Sequence, residues 1–429
     1  MAVLLPLEVL EIILEALSDD PSTLRQCSIV SKSFLVLSRK VLFSVIQLYS
    51  RFTVGDGSDS EVLAPPCDRL YDVLRKNPCV AAYVREIHII GPCWAYTSDV
   101  LPPLLEMVAD CGLLEVFTFR MYGEDMTWQT LPAALKAAFI RVFQLPALRA
   151  VQLGDVCFGS FPLEMFAMPP RLKHIGHFYV YQHEDPQQAI PESAVLPSSE
   201  GETRFLDSLE IGGATALPLV DFLVSSACPI SVSRLRSLSL HSTGLGLLDA
   251  ARKIISVAGG SIEMLSWLEP SLPWSDDGSP VDHWDPLNFQ ALDLVRVMTI
   301  QLMLSSEHEV INVLEACGLP PNIEELIFVV EPSDTEYALI FDAGRGIADF
   351  LDEKIARLLQ RKAHLRQIRL VVILWDDKPV TLSMFQHFFP ILHATGNLVG
   401  QFLKEGEEGI VFADVVKRKI GLRGRFDEY

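Results

Sequence analysis

The chain has 429 residues, 49% of them hydrophobic and 21% charged, which excludes a disordered polymer and leaves room for two or three ordinary domains or one elongated array. Its formal net charge of −20 opposes a broad nucleic-acid surface, because affinity for phosphates comes mainly from Lys and Arg. The same acidity serves solubility and leaves a basic partner open.

The first stretch, "MAVLLPLEVLEIILEAL", lacks the basic segment of a secretion signal and carries Glu8, Glu11 and Glu15 through its apolar part, so no secretion is expected. It reads as a helix, with Pro6 suited to the first helical position and no breaker before Ser18. Leu10, Ile13, Leu14 and Leu17 form one stripe at helical spacing, and Val9, Ile12 and Ala16 form a second. A helix apolar on two sides needs two covers, where a surface helix needs one. "SDDPSTL" marks a turn and a new start, with Asp20 as N-cap and Pro21 at the first helical position. The second helix is expected to carry Leu24, Cys27 and Ile29 or Val30. A third, from about Ser33 to Leu42, shows Phe34, Leu37 and Val41 on one side and Leu35 and Leu42 on another, and "LFSVIQL" then reads as a strand. Three short helices cannot bury all these side chains among themselves, so either the rest of the chain or another protein covers them.

The run "LPLEVLEIILEAL", followed by Leu24 and "VSKSFLVLSRKVLF", resembles the F-box. Leu5, Pro6, Glu8, Leu10, Ile13, Leu17, Leu24, Val30, Ser31, Lys32 and Phe34 fall in that family's order, over a match from Leu5 to about Leu48. It departs at Phe34, where many members have Trp, and at Ser31, where many have Cys. The resemblance implies that the open apolar face docks on the Skp-type adaptor subunit of a cullin–RING ubiquitin ligase. Leu5, Pro6, Leu10, Ile13, Leu17, Leu24, Val30, Phe34 and Leu42 are then the adaptor-binding residues, and the body of the chain holds an unknown protein substrate.

Residues 1–50 thus form the N-terminal module. The Gly-, Ser-, Asp- and Pro-rich stretch 51–68 has linker composition. Its Asp56 and Asp59 do not make a calcium loop, since Glu61 stands where a glycine is needed. From 69 to 400 a weak motif recurs, an apolar residue followed at the fourth and sixth places by two more. The clearest copies are "LRAVQL" from 148, "LDSLEI" from 206, "LRSLSL" from 235, "IEELIF" from 323 and "LRQIRL" from 365. Weaker ones are "VREIHI" from 84, "LEVFTF" from 114, "LKHIGH" from 172, "IEMLSW" from 262 and "LDLVRV" from 292.

The ten starts lie roughly thirty residues apart, with amphipathic helices such as "IADFLDEKIARLLQR", "LPAALKAAFIRVF" and "LLDAARKIISVAG" between most of them. The expected class is α/β, a three-helix F-box followed by an irregular strand–helix solenoid resembling leucine-rich repeats, its ten segments forming one mainly parallel sheet. The position after the motif that those repeats fill with Asn or Cys holds Val156, Ala214, Thr243 and Glu331, which implies an irregular curve. Asp221 interrupts the most hydrophobic region, "LPLVDFLVSSACPISVS", so no segment is expected to span a bilayer. The stretches 181–203 and 270–286 interrupt the period, and 401–429 is read as a tail ending in the basic "KRKIGLRGRF".

The eight cysteines show no C-x-x-C pair and read as reduced core residues. With no glycosylation sequon, this points to an intracellular protein, cytoplasmic or nuclear. No phosphate loop, nucleophile elbow or zinc-protease motif is present, and "GRGIAD" from 344 has Asp349 where a dinucleotide turn needs its third glycine. His174 with His177, and His387 with His393, lack ligand spacing, and Asp276, Asp277, Asp282, His283 and Asp285 sit among turn residues. The expectation is a non-enzymatic recruiter without metal or cofactor, with no nucleic-acid or membrane partner. The alternative outcome is a scaffold that pairs with the adaptor without promoting degradation.

Overall fold

The computed structural model describes residues 5–18, 20–49, 66–92, 98–122, 128–154, 161–178, 203–213, 216–241, 245–268, 284–303, 307–331, 352–353, 355–357, 365–374, 389–394 and 398–404. The protein is mixed α/β and forms two compact units, residues 1–176 with 180–200 and residues 177–179 with 201–429.

The first unit opens with α1 (Leu7–Ala16), α2 (Pro21–Cys27) and α3 (Lys32–Leu42). The Asp20 carboxylate accepts from the Thr23 amide at 2.9 Å, and the Ser31 hydroxyl accepts from the Phe34 amide at 3.3 Å. Both helix starts therefore have the side-chain caps that their residue types favour. Pro6 occupies the N-cap position, one residue earlier than expected, and α1 stops at Ala16, short of Ser18. Strand β1 (Val45–Tyr49) follows, then α4 (Pro66–Lys76), a 3₁₀ turn (Pro78–Tyr83), β2 (Glu86–Pro92), α5 (Leu101–Asp110), β3 (Val116–Tyr122), α6 (Ala133–Phe143), β4 (Ala150–Gly154), a second 3₁₀ turn (Leu163–Ala167) and β5 (His174–Phe178). Strands β1 to β5 neighbour one another in chain order, and β1 to β4 pair in parallel. Helix α4 starts at Pro66, inside the stretch read as linker.

In the second unit β6 (Arg204–Phe205) and β8 (Ile230–Ser231) form a separate two-stranded pair. The main sheet runs β7 (Ser208–Gly212), β9 (Ser237–His241), β10 (Met264–Leu268), β11 (Val297–Met303), β12 (Glu325–Glu331), β13 (Gln367–Leu374) and β14 (Leu398–Lys404), all parallel. Helices α7 (Ala216–Val224), α8 (Leu245–Ala258), α9 (Glu307–Cys317) and α10 (Pro390–Ala394) and a 3₁₀ turn (Phe289–Ala291) lie between strands. Buried Asp352 caps α10 from outside it, its two oxygens each accepting at 2.7 Å from the amides of Ile391 and Leu392.

Parallel neighbours need crossovers, and a helical crossover puts apolar side chains on the sheet face that it covers. The second residue of each motif strand supplies that face. Ile87, Phe117 and Val151 are in register in the first unit, and Leu238, Leu265, Met298, Leu326 and Ile368 in the second, all buried. The α6 ring of Phe139 meets Phe117 at 5.4 Å and Phe119 at 4.8 Å between centroids.

The residue just before each motif strand is charged in all ten copies: Arg85, Glu115, Arg149, Lys173, Asp207, Arg236, Glu263, Arg296, Glu324 and Arg366. Their backbones form a continuation of the ladder, as where the Glu324 amide donates to the Arg296 carbonyl at 2.8 Å and the Arg366 amide to the Glu324 carbonyl at 2.8 Å. Their side chains alternate in sign through the second unit, with Arg296 and Arg366 reaching Glu324 at 3.5 and 3.4 Å. In the first unit Glu115 is held between Arg85 and Arg149. Each pair is part-exposed and individually weak, but Glu324→Arg sets three cations side by side. That substitution should cost about 1–2 kcal/mol in urea unfolding, with only partial recovery in the triple variant Arg296→Glu/Glu324→Arg/Arg366→Glu, whose new carboxylate at 296 stands beside Glu263. Equal stability of the single variant and wild type would contradict the ladder.

The segment expected from 292 is out of phase. Strand β11 starts at Val297, so the copy in register is "VRVMTI" from 295, fixed by the Arg296 amide donating to the Glu263 carbonyl at 2.9 Å. Leu292 instead closes the preceding 3₁₀ turn. The body also passes the expected boundary at 400, because β14 runs through it and pairs with β13. Of the helix stripe around 350, Ile355 is described and buried, while Ile347, Phe350, Leu351, Leu358 and Leu359 lie outside the described residues. The stretch 181–202, most of 270–286 and the tail from 405 also lie outside them.

Candidate functional site

The three N-terminal helices are held together by few side chains. Leu14 of α1 and Leu24 of α2 are buried, Leu10 is 9% exposed, and Lys40 of α3 forms an ion pair with Glu11 of α1. The two apolar stripes of α1 are treated unequally. Leu10 and Leu14 are inside, while Val9 and Ile12 of the second stripe and Ile13 of the first are exposed, Ile12 to 65%. One side of α1 is covered by this chain and the other is not.

Helix α2 ends at Cys27, earlier than expected. The Ile29 amide bonds to the Gln26 carbonyl at 3.2 Å and the Val30 amide to the Cys27 carbonyl at 3.1 Å, a turn that leaves Ile29 85% and Val30 67% exposed. On α3, Val36 is exposed, Phe34 and Leu42 are half-buried, and Ser38 is the buried residue.

The nine expected adaptor-binding residues therefore divide. Leu5, Pro6, Ile13 and Val30 are exposed, and Leu17, Phe34 and Leu42 are half-buried. Leu10 and Leu24 are internal, so any part they have in docking is to position the other seven. Leu7, Val9, Ile12, Ile29 and Val36 join the exposed set and were missed, because a family pattern marks which positions are apolar, not which are left open.

Hydrogen bonds from the Thr23 hydroxyl and backbone amide hold the Asp20 carboxyl below its ordinary value of 3.8. A lowered folded value means that capping contributes above pH 3.8 and is lost as pH falls through the lowered value. The Asp20 carboxyl followed by NMR should titrate below 3.8, with the Thr23 amide losing protection in step; a midpoint at or above 3.8 would contradict the cap.

A row of polar side chains crosses the first unit's strands on the face opposite Phe117. Glu86 lies 3.5 Å from His88 Nε2, His88 Nδ1 lies 2.9 Å from the Thr118 hydroxyl, Thr118 donates to Gln152 Oε1 at 3.2 Å, and Gln152 Nε2 meets His174 Nε2 at 3.3 Å. The directions follow from chemistry. Since Thr118 gives its proton to Gln152, His88 Nδ1 must be protonated to donate to Thr118, and His174 Nε2 is the bare nitrogen that accepts from Gln152. Hydroxyl, imidazole and carboxylate in line have the order of an activated nucleophile. Here Thr118 is fully buried and its proton is committed to Gln152, so the row ties strand to strand. In the second unit His241 Nε2 pairs with Glu210 at 2.5 Å in the same manner.

Among the described residues, no group of three or more His, Cys, Asp and Glu side chains is placed to hold a metal ion, and no helix is long and apolar enough to cross a membrane. His174 is spent in the polar row, His393 is exposed on α10, and Asp285 pairs with Arg252 at 3.3 Å. Asp276, Asp277, Asp282, His283, His387 and Asp349 lie outside the described residues. The described cysteines are free thiols, but only Cys67 and Cys317 are core residues, and Cys79 is exposed, contrary to the expectation for the set. Burial pushes the Cys317 thiol up to about 12 and raises Cys67, which keeps both protonated and inert. No known family model matches the chain, and no curated protein matches it.

Proposed function

We propose that this chain is the substrate-recruiting subunit of a Skp-type adaptor and cullin–RING ubiquitin ligase. Its N-terminal helices act as an F-box on the adaptor, and its body, an irregular solenoid resembling leucine-rich repeats, holds a protein substrate. It works by proximity, bringing the substrate to the ligase with no chemistry of its own. The observation that carries the reading is a concentration: eight of the sixteen large hydrophobic side chains exposed among the described residues lie between Leu5 and Val36. Surface apolar residues scattered singly need no explanation, but this many on α1, on α3 and in the turn between α2 and α3 mark a place where another surface belongs.

The test compares the full chain with an Ile13→Asp/Val30→Asp variant in cells, by affinity capture and by the half-lives of captured proteins. Point variants are preferable to removal of residues 1–50, which would also strip β1 from its pairing with β2. Recruitment for degradation requires that the variant lose the adaptor and lengthen the half-life of at least one captured protein. Loss of the adaptor with every half-life unchanged would indicate a scaffold. Capture of the adaptor by neither form would refute the F-box reading.

A further inference from the structure

Residues 21–55 hold Arg25, Lys32, Arg39, Lys40 and Arg51 and not one Asp or Glu, in a chain whose net charge is −20. Helices α2 and α3 both fall inside this acid-free run. Lys40 is engaged by Glu11 of α1. Arg25, Lys32 and Arg39 are exposed and meet no carboxylate among the described residues. On α3, Lys32, Val36 and Arg39 are four and three residues apart, so they share one side of the helix, with exposed Val36 between two cations. Exposed Val30 stands two residues before Lys32.

We infer that the partner docking on these helices presents carboxylates to the α2–α3 edge, around an apolar centre that takes Ile12, Ile13, Ile29 and Val30. This rests on the proposed docking role. The physical reason is a difference between local and global charge. A chain this acidic repels an acidic protein at long range, so exposed cations that meet no described carboxylate, beside the apolar residues, supply both attraction and orientation at the point of contact. Nucleic acid fits the charge but offers nothing to Ile29 and Val30. An anionic bilayer would accept both charge and apolar side chains, so it enters the test as a separate arm.

Association of the full chain with a purified Skp-type adaptor is measured across a range of NaCl concentrations, for wild type and for Lys32→Glu/Arg39→Glu, with melting temperatures to show that both are folded. The charge reversal should slow association by about tenfold or more, and salt should slow the wild type but not the variant, whose remaining long-range repulsion it screens. A wild-type complex whose rate and affinity ignore both salt and the reversal overturns the inference and leaves the docking role standing. No wild-type complex overturns the docking role and the inference together. Binding to mixed phosphatidylcholine and phosphatidylserine vesicles that the reversal abolishes, with no adaptor complex, assigns the edge to a lipid surface and likewise overturns the inference.

Discussion

Ile13→Asp/Val30→Asp in the full chain should abolish stable adaptor capture while leaving the fold intact. Both residues are exposed, Val30 to 67%, so their replacement leaves the chain's own core untouched and should shift stability by less than about 0.5 kcal/mol each. At a docked interface the same carboxylates would be buried without partners. Each should then cost about 2 kcal/mol or more of binding free energy, roughly thirtyfold in Kd per site. Phe34 is a poorer probe, since it is half-buried here and its truncation mixes lost docking with lost packing. Calorimetric titration with adaptor and a thermal melt on the same sample check the prediction. An unchanged Kd would remove these residues from any interface, and a collapsed melting temperature would mean that they cover part of the chain's own core.

The largest effect on stability should come from Phe117→Ala. Phe117 is fully buried at the second place of β3, with ring centroids 6.5 Å from Phe119, 5.4 Å from Phe139 and 6.3 Å from Phe143. Truncation removes the ring that joins the strand to α6 and leaves a cavity among three aromatic neighbours, a loss of about 3–5 kcal/mol. Phe117→Leu refills part of that volume and should cost less. Urea unfolding followed by tryptophan fluorescence reports it directly, because Trp128 stacks on Phe139 at 6.1 Å in the same unit. A loss for Phe117→Ala below about 1 kcal/mol would show that this cluster is not the core of the first unit.

The strands were legible because their motif is local. In nine of the ten copies the strand begins two residues after the first apolar position, as at Leu148 and Ala150; β2 to β4 and the motif strands from β7 to β13 pair in parallel and in chain order. The tenth failed for a reason that the sequence itself contains. Residues 292–300 carry apolar side chains at spacings that satisfy two phases three residues apart, and each phase has a charged second residue, Asp293 or Arg296. The pairing of β11 with β10 of the neighbouring repeat, begun by the bond from Arg296 to Glu263, separates them. Every quoted copy carries a charged second residue, but apolar periodicity assigns no role to the polar places between its own positions. On α1, the number of apolar stripes was readable, but which stripe the chain itself would cover depends on where α2 and α3 pack, and no local pattern encodes that. The polar row through Thr118 brings together residues from four strands whose side chains have no mutual spacing in sequence.

Hydrogen exchange of the full chain with and without a Skp-type adaptor tests the central claim most directly, because it locates the contact as well as detecting it. The account predicts slowed exchange confined to the helices between Leu5 and Leu42, strongest around Ile12, Ile13, Ile29 and Val30, with the strands from β2 onward unchanged. Unaltered exchange over those helices at adaptor concentrations that saturate a known partner of the adaptor would contradict it, as would protection appearing only in the body of the chain.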